Sequence, residues 1–209
     1  RTNLQFVGSK PGPKIIAITS TLSGEGKTFI SINLAGIIAY SDKKVIIIDV
    51  DMRKPKIHLG FGVENDKGMS TLLSRQTNIE DCIRPSLFKN LDFITAGPIP
   101  PNPSELVINP KMEELLAYLE KRYDYIIIDT PPVGIVTDGI TIIQRADYPI
   151  YIFKAGVSKK QFVHNVERLI TDSHINNLAI ILNSVDLAKS KYGYGAYGSG
   201  YGYGYGYGY

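Results

Sequence analysis

The stretch that most constrains the fold is residues 14–28, where an apolar run passes into a loop of small residues and then a helical pattern. Ile15, Ile16 and Ile18 are typical of a buried strand, and the helix is predicted to begin at Lys27. A strand, loop and helix in this order form the setting of a phosphate-binding loop (P-loop), whose backbone N–H groups and helix dipole surround a polyphosphate. Thr21 stands where the usual motif has its first glycine, and an ordinary glycine-rich turn is the alternative interpretation.

The P-loop predicts a nucleotide site that takes ATP and Mg²⁺. In such a loop the lysine reaches the β- and γ-phosphates and the following hydroxyl holds Mg²⁺, which assigns these roles to Lys27 and Thr28. The predicted nucleotide-binding residues of the loop are Ser23, Gly24, Glu25, Gly26, Lys27 and Thr28.

Strand and helix patterns alternate along the rest of the chain. Further strands are predicted at residues 44–49, 91–95, 125–129, 148–154 and 177–183. Helices are predicted at residues 27–40, 70–73, 78–83 and 134–146, from Asn109 and Pro110 onward, and after a capping box of Ser158 and Gln161. In three of these helices the apolar residues expected to face the core are, in chain order, Ile30, Leu34, Ile37 and Ile38; Met112, Leu115, Leu116 and Leu119; and Phe162, Val166, Leu169 and Ile170. This alternation predicts an α/β fold of the P-loop NTPase type, with a mostly parallel central sheet flanked by helices on both faces.

Composition limits the number of domains and argues against several other kinds of protein. A chain of 209 residues fits one large domain. Its 23 basic residues are scattered and its net charge is +3, so no nucleic-acid partner is expected. Cys82 is the single cysteine, which excludes an intrachain disulfide and is expected to be a core thiol. No apolar run approaches the ~20 residues that span a bilayer.

Three aspartates follow predicted buried strands and are candidates for phosphoryl-transfer chemistry. Asp49 and Asp51 end one strand and Asp129 ends another, at the sheet edge where ligands bind in open α/β folds. Asp49 and Asp51 are two residues apart, so in extended chain their carboxylates point the same way. Arg53 could offset charge on the transferred phosphoryl group. The alternative is that the first two acids form a capping or solvated pair.

These motifs together resemble the bacterial protein-tyrosine kinases (BY-kinases). The Walker A loop is Ser23-Gly24-Glu25-Gly26-Lys27-Thr28, the Walker A′ segment is residues 46–53, and the Walker B segment ends Asp129-Thr130-Pro131-Pro132. Residues 96–106 also match the family pattern. The last 18 residues hold eight tyrosines and eight glycines, without charge, and are predicted to be disordered. Together, the motifs cover essentially the whole chain.

The resemblance implies the cytoplasmic kinase domain of a polysaccharide co-polymerase, acting at the inner face of the bacterial inner membrane. It implies an N-terminal helix end and linker at residues 1–13, a kinase domain at residues 14–188 and an autophosphorylation tail at residues 189–209. The implied phosphoacceptors are Tyr192, Tyr194, Tyr197, Tyr201, Tyr203, Tyr205, Tyr207 and Tyr209.

The resemblance also implies individual roles and partners. Asp49 would lie nearest the incoming phenol, with Thr28, Asp51 and Asp129 toward Mg²⁺ and Asn183 toward adenine. The implied partners are other copies of the chain in a ring-shaped homo-oligomer, a membrane-spanning activator segment and a tyrosine phosphatase.

Two alternatives compete with a kinase. The first is a nucleotide-switched positioning ATPase of the Min/Par type, which shares the Walker elements but usually carries an extra lysine early in the P-loop, where this chain has Thr21-Leu22-Ser23. The second is an inactive ATPase whose tyrosine-rich tail self-associates. The intact lysine and aspartates argue against an inactive site.

Overall fold

A computed structural model describes residues 11–134, 138–175 and 177–186. The predicted N-terminal helix end, residues 1–10, and the predicted tyrosine tail lie outside these residues. The described residues form one seven-stranded sheet with the strand order β3-β4-β2-β5-β1-β6-β7. The strands are β1 (Lys14–Ser20), β2 (Val45–Asp49), β3 (Arg84–Pro85), β4 (Leu91–Ile94), β5 (Tyr125–Asp129), β6 (Tyr148–Lys154) and β7 (Ala179–Asn183). Every neighbouring pair is parallel except β3 and β4.

Helices cover both faces of the sheet. They are α1 (Lys27–Ala39), α2 (Ile57–Phe61), α3 (Met69–Leu73), α4 (Ile79–Cys82), α5 (Pro103–Val107), α6 (Pro110–Glu120), α7 (Asp138–Arg145) and α8 (Val163–Thr171), with a 3₁₀ turn at Lys160–Phe162. Helices α1 and α2 pack on one face, and α3 to α8 pack on the other. The predicted fold class is therefore confirmed.

Successive strand residues supply the two cores. In β1, Ile15 and Ala17 belong to the core under α3 to α8, whereas Ile16 and Ile18 belong to the core under α1. A sheet buried on both faces needs this continuous apolar pattern, because neighbouring side chains point to opposite faces. All four are nearly or fully buried, which fixes β1 at the centre of the molecule and places the following loop at a defined position.

Most predicted helices and strands are confirmed, and the errors arise from how the elements pack in the fold. Asn109 caps α6 by accepting the Lys111 N–H, and the α6 stripe of Met112, Leu115, Leu116 and Leu119 is buried. Cys82 is a buried core thiol, as expected. Helix α7 is described over Asp138–Arg145, and it does not begin at residue 134 as predicted, since Val133 and Gly134 form a turn in which the Val133 N–H donates to the Ser20 carbonyl.

Three further predictions are wrong. Ile37 of α1 and Ile170 of α8 are about half exposed, because each lies at the margin of its helix's buried stripe. The capping box of Ser158 and Gln161 does not form, since the Ser158 hydroxyl is bonded to Glu25 and no side chain caps the 3₁₀ turn.

Within the described residues, no helix has the length and apolar character needed to span a membrane.

Candidate active site

The strand register brings the predicted P-loop and aspartates to one edge of the sheet. At the carboxyl ends of β1, β2 and β5, Asp129 is in register with Ile18 on one side and Asp49 on the other. The loop that follows β1 therefore lies directly beside both carboxylates. The parallel topology alone accounts for this proximity, because it aligns the strand ends that carry these residues.

The P-loop has the backbone shape expected of an anion-binding turn. Gly24 and Gly26 adopt left-handed conformations, with φ of +91° and +102°. Gly26 is the N-cap of α1, and no side chain among the described residues caps this helix start. The N–H groups of the first turn are thus available to an anion, with the helix dipole adding attraction.

Thr28 and Asp129 form the most direct contact between the loop and the strand ends. The Thr28 hydroxyl donates to Oδ2 of Asp129 at 2.6 Å. The other carboxylate oxygen lies 3.4 Å from the Ser31 hydroxyl. Ser31 is not among the predicted site residues. The sequence feature that could have indicated it is a small polar side chain one turn after Lys27, on the face of α1 that packs against the sheet. Lys27 is nearly buried beside these groups.

All three aspartates are harder to ionise than usual. Burial, partly offset by the Lys27 charge and the Thr28 hydroxyl, raises the pKa of Asp129 to about 6. Burial and then the charge of Asp129 raise the pKa of Asp49 well above its ordinary value. Burial also raises the pKa of Asp51, against the lowering effect of Lys27. Burial is therefore the main reason why these acids resist ionisation, and the Lys27 charge offsets it only in part at Asp51 and Asp129.

Asp49 and Asp51 hold different positions at the site. Asp49 is fully buried. Its Oδ1 accepts the Asp51 N–H and its Oδ2 accepts the N–H groups of Lys56 and Ile57, each at 3.1 Å. Asp51 is slightly exposed and accepts the Lys54 N–H. Asp49 thus orders the loop leading to α2, as the capping alternative anticipates, while Asp51 is the more accessible carboxylate.

The remaining predicted residues lie at the margins. Arg53 is exposed and donates to the Ser104 hydroxyl at the start of α5, at 2.7 Å. The Asn183 amide, at the end of β7, donates to the Glu25 carbonyl of the P-loop at 3.0 Å. The Glu25 carboxylate is bonded to Leu22 and Ser158, so the loop offers a ligand the Glu25 backbone rather than its carboxylate.

The donor set fits Mg²⁺, which prefers carboxylate and hydroxyl oxygens and usually keeps waters and substrate phosphates as its other ligands. Thr28, Asp51 and Asp129 supply such oxygens at the P-loop. No group of three or more His, Cys, Asp or Glu side chains in the described part of the chain could hold a metal by itself. A magnesium ion here would thus depend on the nucleotide for much of its coordination.

Comparison with known proteins identifies the family. A family model described as an AAA domain matches residues 13–157. The chain is 36% identical over 194 residues to tyrosine-protein kinase YwqD of Bacillus subtilis, covering 92% of this chain and 82% of YwqD. It belongs to the bacterial tyrosine-protein kinase family. The same kinase family includes longer members. The chain is 35% identical over 193 residues to the putative tyrosine-protein kinase EpsB of Ralstonia nicotianae. This match covers 92% of the chain but only 26% of EpsB.

Solved structures agree with this kinase assignment. The kinase domain of Escherichia coli tyrosine kinase ETK is similar with a TM-score of 0.85 and 34% identity, over 99% of this chain and 78% of that one. The septum site-determining protein MinD of Pyrococcus horikoshii, solved with Mg-ADP, has a TM-score of 0.65 and 23% identity, over 80% and 68%. At that identity MinD shares the fold alone, and the resemblance to the tyrosine kinases is confirmed.

Proposed function

We propose that this chain is an ATP-dependent tyrosine autokinase that transfers the γ-phosphoryl group of ATP to tyrosines of its own tail. The observation that carries the proposal is the bond between Thr28 of the P-loop and Asp129 at the end of β5, beside a nearly buried Lys27. This arrangement joins a polyphosphate cradle to a carboxylate at the point where phosphoryl transfer develops charge.

Each group at the site then has a role in the transfer. The P-loop N–H groups hold the phosphate chain and Lys27 neutralises charge on its β- and γ-oxygens. Mg²⁺, held by Thr28, Asp51 and Asp129, would supply further positive charge to the β- and γ-phosphates. The phenolic oxygen forms the new bond to the γ-phosphorus as the bond to the β-phosphate oxygen breaks, and ADP leaves.

Asp49 is the proposed acceptor of the phenolic proton. Burial raises the pKa of Asp49, which makes its carboxylate a stronger base than an exposed aspartate. Its hydrogen bonds to the loop backbone would fix the carboxylate in place. Arg53, at the exposed margin, is proposed to offset charge on the phosphoryl group.

The proposed substrate is the tyrosine-rich tail, residues 189–209, which follows the kinase domain of residues 14–188. Strand β7 ends at Asn183, whose amide contacts the P-loop, so the chain leaves the sheet beside the nucleotide site. The last 18 residues could stretch over roughly 60 Å, at ~3.3 Å per residue. Their glycines leave each phenol unencumbered, and they contain no acid that the aspartates would repel.

The wider setting rests on the resemblance to the BY-kinases. We propose transfer in trans within a ring-shaped homo-oligomer built through residues 1–13, and adenine recognition at Asn183. An upstream or separate membrane-spanning segment would activate the kinase at the inner face of the membrane, and a tyrosine phosphatase would reverse the modification. The cycle would regulate polymerisation and export of a capsular or extracellular polysaccharide.

The test mixes a variant that has the tail but a disabled site with a variant that has an intact site but no tail, and measures phosphotyrosine after addition of ATP and Mg²⁺. Lys27→Met with an intact tail should be unlabelled alone, because the charge that faces the β- and γ-phosphates is lost. It should become labelled when mixed with an otherwise intact protein truncated before Tyr192, and more so at higher protein concentration. The matched control is Lys89→Met, which removes an exposed lysine from the turn before β4, at the opposite edge of the sheet.

The outcomes separate the alternatives. Full self-labelling by Lys27→Met would refute the kinase site. Self-labelling of the unmodified chain at a concentration-independent rate, without labelling in the mixture, would place transfer in cis. ATP hydrolysis without any phosphotyrosine would favour the positioning ATPase.

A further inference from the structure

The P-loop contains a fully buried acid that phosphate binding does not explain. Glu25 lies between Gly24 and Gly26, and its side chain is wholly inaccessible to solvent. A carboxylate directed into the loop would repel the phosphates that the loop is proposed to hold. Its two oxygens instead accept hydrogen bonds from the protein, one from within the P-loop and one from the loop that follows β6.

The Glu25 carboxylate connects two segments of the chain. Its Oε2 accepts the Leu22 N–H at 2.7 Å, across the turn of the P-loop itself. Its Oε1 accepts the hydroxyl of Ser158, in the loop that follows β6. That hydroxyl in turn accepts the Lys154 N–H at 2.7 Å, at the end of β6. We refer to Glu25, Ser158 and the Lys154 N–H as the brace.

Other contacts reinforce the same connection. The Thr21 and Tyr151 hydroxyls lie 2.8 Å apart. The Lys154 ammonium is 3.4 Å from the Gly24 carbonyl. Each of these groups outside the P-loop belongs to β6 or the loop after it, so these contacts support the P-loop from the side of β6, while Thr28 contacts Asp129 on the side of β5.

We propose that Glu25 and Ser158 are positioning residues that hold the P-loop in its nucleotide-binding shape before the nucleotide arrives. The inference rests on the proposed function in that the loop is taken to bind ATP. A loop with two left-handed glycines has many alternative conformations, and ordering it on binding would weaken affinity. With the brace in place, the loop is already ordered when the nucleotide binds. The Glu25 carboxylate is directed into the protein, away from the phosphates.

The test measures ADP affinity by calorimetry, which does not require kinase activity. Ser158→Ala leaves a buried carboxylate oxygen without its donor, and we expect ADP to bind about tenfold more weakly. Ser158→Thr retains the hydroxyl and should bind ADP with the affinity of the wild type. Ser41→Ala is the matched control, because its hydroxyl bonds the Ile37 carbonyl at the exposed C-terminal end of α1.

A double-mutant cycle then tests the pair. Glu25→Ala, which removes the carboxylate altogether, should weaken ADP binding at least as much, and the double variant Glu25→Ala, Ser158→Ala should bind no more weakly than the worse single variant, because each single variant already lacks the Glu25–Ser158 hydrogen bond. Unchanged ADP affinity in Ser158→Ala, or additive losses in the double variant, would overturn the proposal. So would a lowered melting temperature without any loss of affinity, which would show a purely structural role.

This outcome is separable from that of the kinase proposal. A protein that binds ADP with the expected pattern across these variants but makes no phosphotyrosine supports the brace and refutes the kinase. A wild-type protein that binds no ADP refutes the brace.

Discussion

Replacing Asp129 by Asn should inactivate the enzyme and at the same time stabilise its nucleotide-free form. The carboxylate is fully buried, and burial dominates the rise of its pKa to about 6. A raised pKa means that the folded state holds the proton more tightly than the unfolded chain, so folding stability falls as the pH rises between the two pKa values. An amide has no charge to bury, and its oxygen still accepts the Thr28 hydroxyl.

The magnitude follows from the size of the pKa change. The difference between the ordinary 3.8 and about 6 corresponds to about 3 kcal/mol of unfolding free energy at neutral pH. For a domain of this size that is a rise of roughly 6–12 °C in melting temperature. Loss of the Asp129 charge also relieves Asp49, whose pKa it raises, and this acts in the same direction.

The assay is thermal unfolding of the wild type and Asp129→Asn between pH 4 and pH 8, without nucleotide. The stability gap should be full above about pH 7, shrink as the pH falls through 6 and close near the unfolded pKa of about 3.9. Asp42→Asn is the control, since Asp42 is highly exposed and lies far from the site, at the turn before β2. A variant no more stable than the wild type at pH 7.5, or a gap that does not change with pH, would refute the reasoning.

Two further predictions concern packing and assembly. Gly68→Ala should destabilise the fold by about 1–3 kcal/mol in chemical unfolding, because its Cβ would lie 2.0 Å from the Thr95 carbonyl oxygen. Gly36→Ala, where α1 has open space, should instead be neutral or stabilising, and equal effects would contradict this. In sedimentation, unphosphorylated full-length chain should be larger than phosphorylated chain, since each phosphate adds about −1.5 to −2 charges to a neutral tail. Equal sizes would contradict the proposed ring switch.

The site could be predicted from the sequence wherever strand ends determine it. The proximity of Asp129 and Asp49 is predictable because each ends an uninterrupted apolar run, and the register of a parallel sheet then aligns them. Lys27 and Thr28 followed from the same logic at the start of a helix. Such residues are positioned by the backbone, which local pattern reveals.

Residues positioned by side-chain contacts could not be predicted in this way. Ser158 has the spacing of a helix cap with Gln161, yet its hydroxyl is taken by Glu25, which is 133 residues away in sequence. The three N–H groups that donate to Asp49 come from the irregular loop after β2 and from Ile57, the first residue of α2. The two-residue strand β3, which pairs antiparallel with β4, is too short for any periodicity to indicate.

The charge balance of the site links these observations to the choice of substrate. Three buried aspartates lie together at the strand ends, and Lys27 is nearly buried beside Asp51 and Asp129, so with all three acids ionised these four groups carry more negative than positive charge. Nucleotide phosphates add to that excess, which favours a divalent cation entering with them. A further acidic group on the acceptor would be repelled, whereas residues 192–209 contain none. In the proposed reaction each transferred phosphate would make the tail anionic, so the negative charge that admits a neutral tyrosine would promote release of the phosphorylated one.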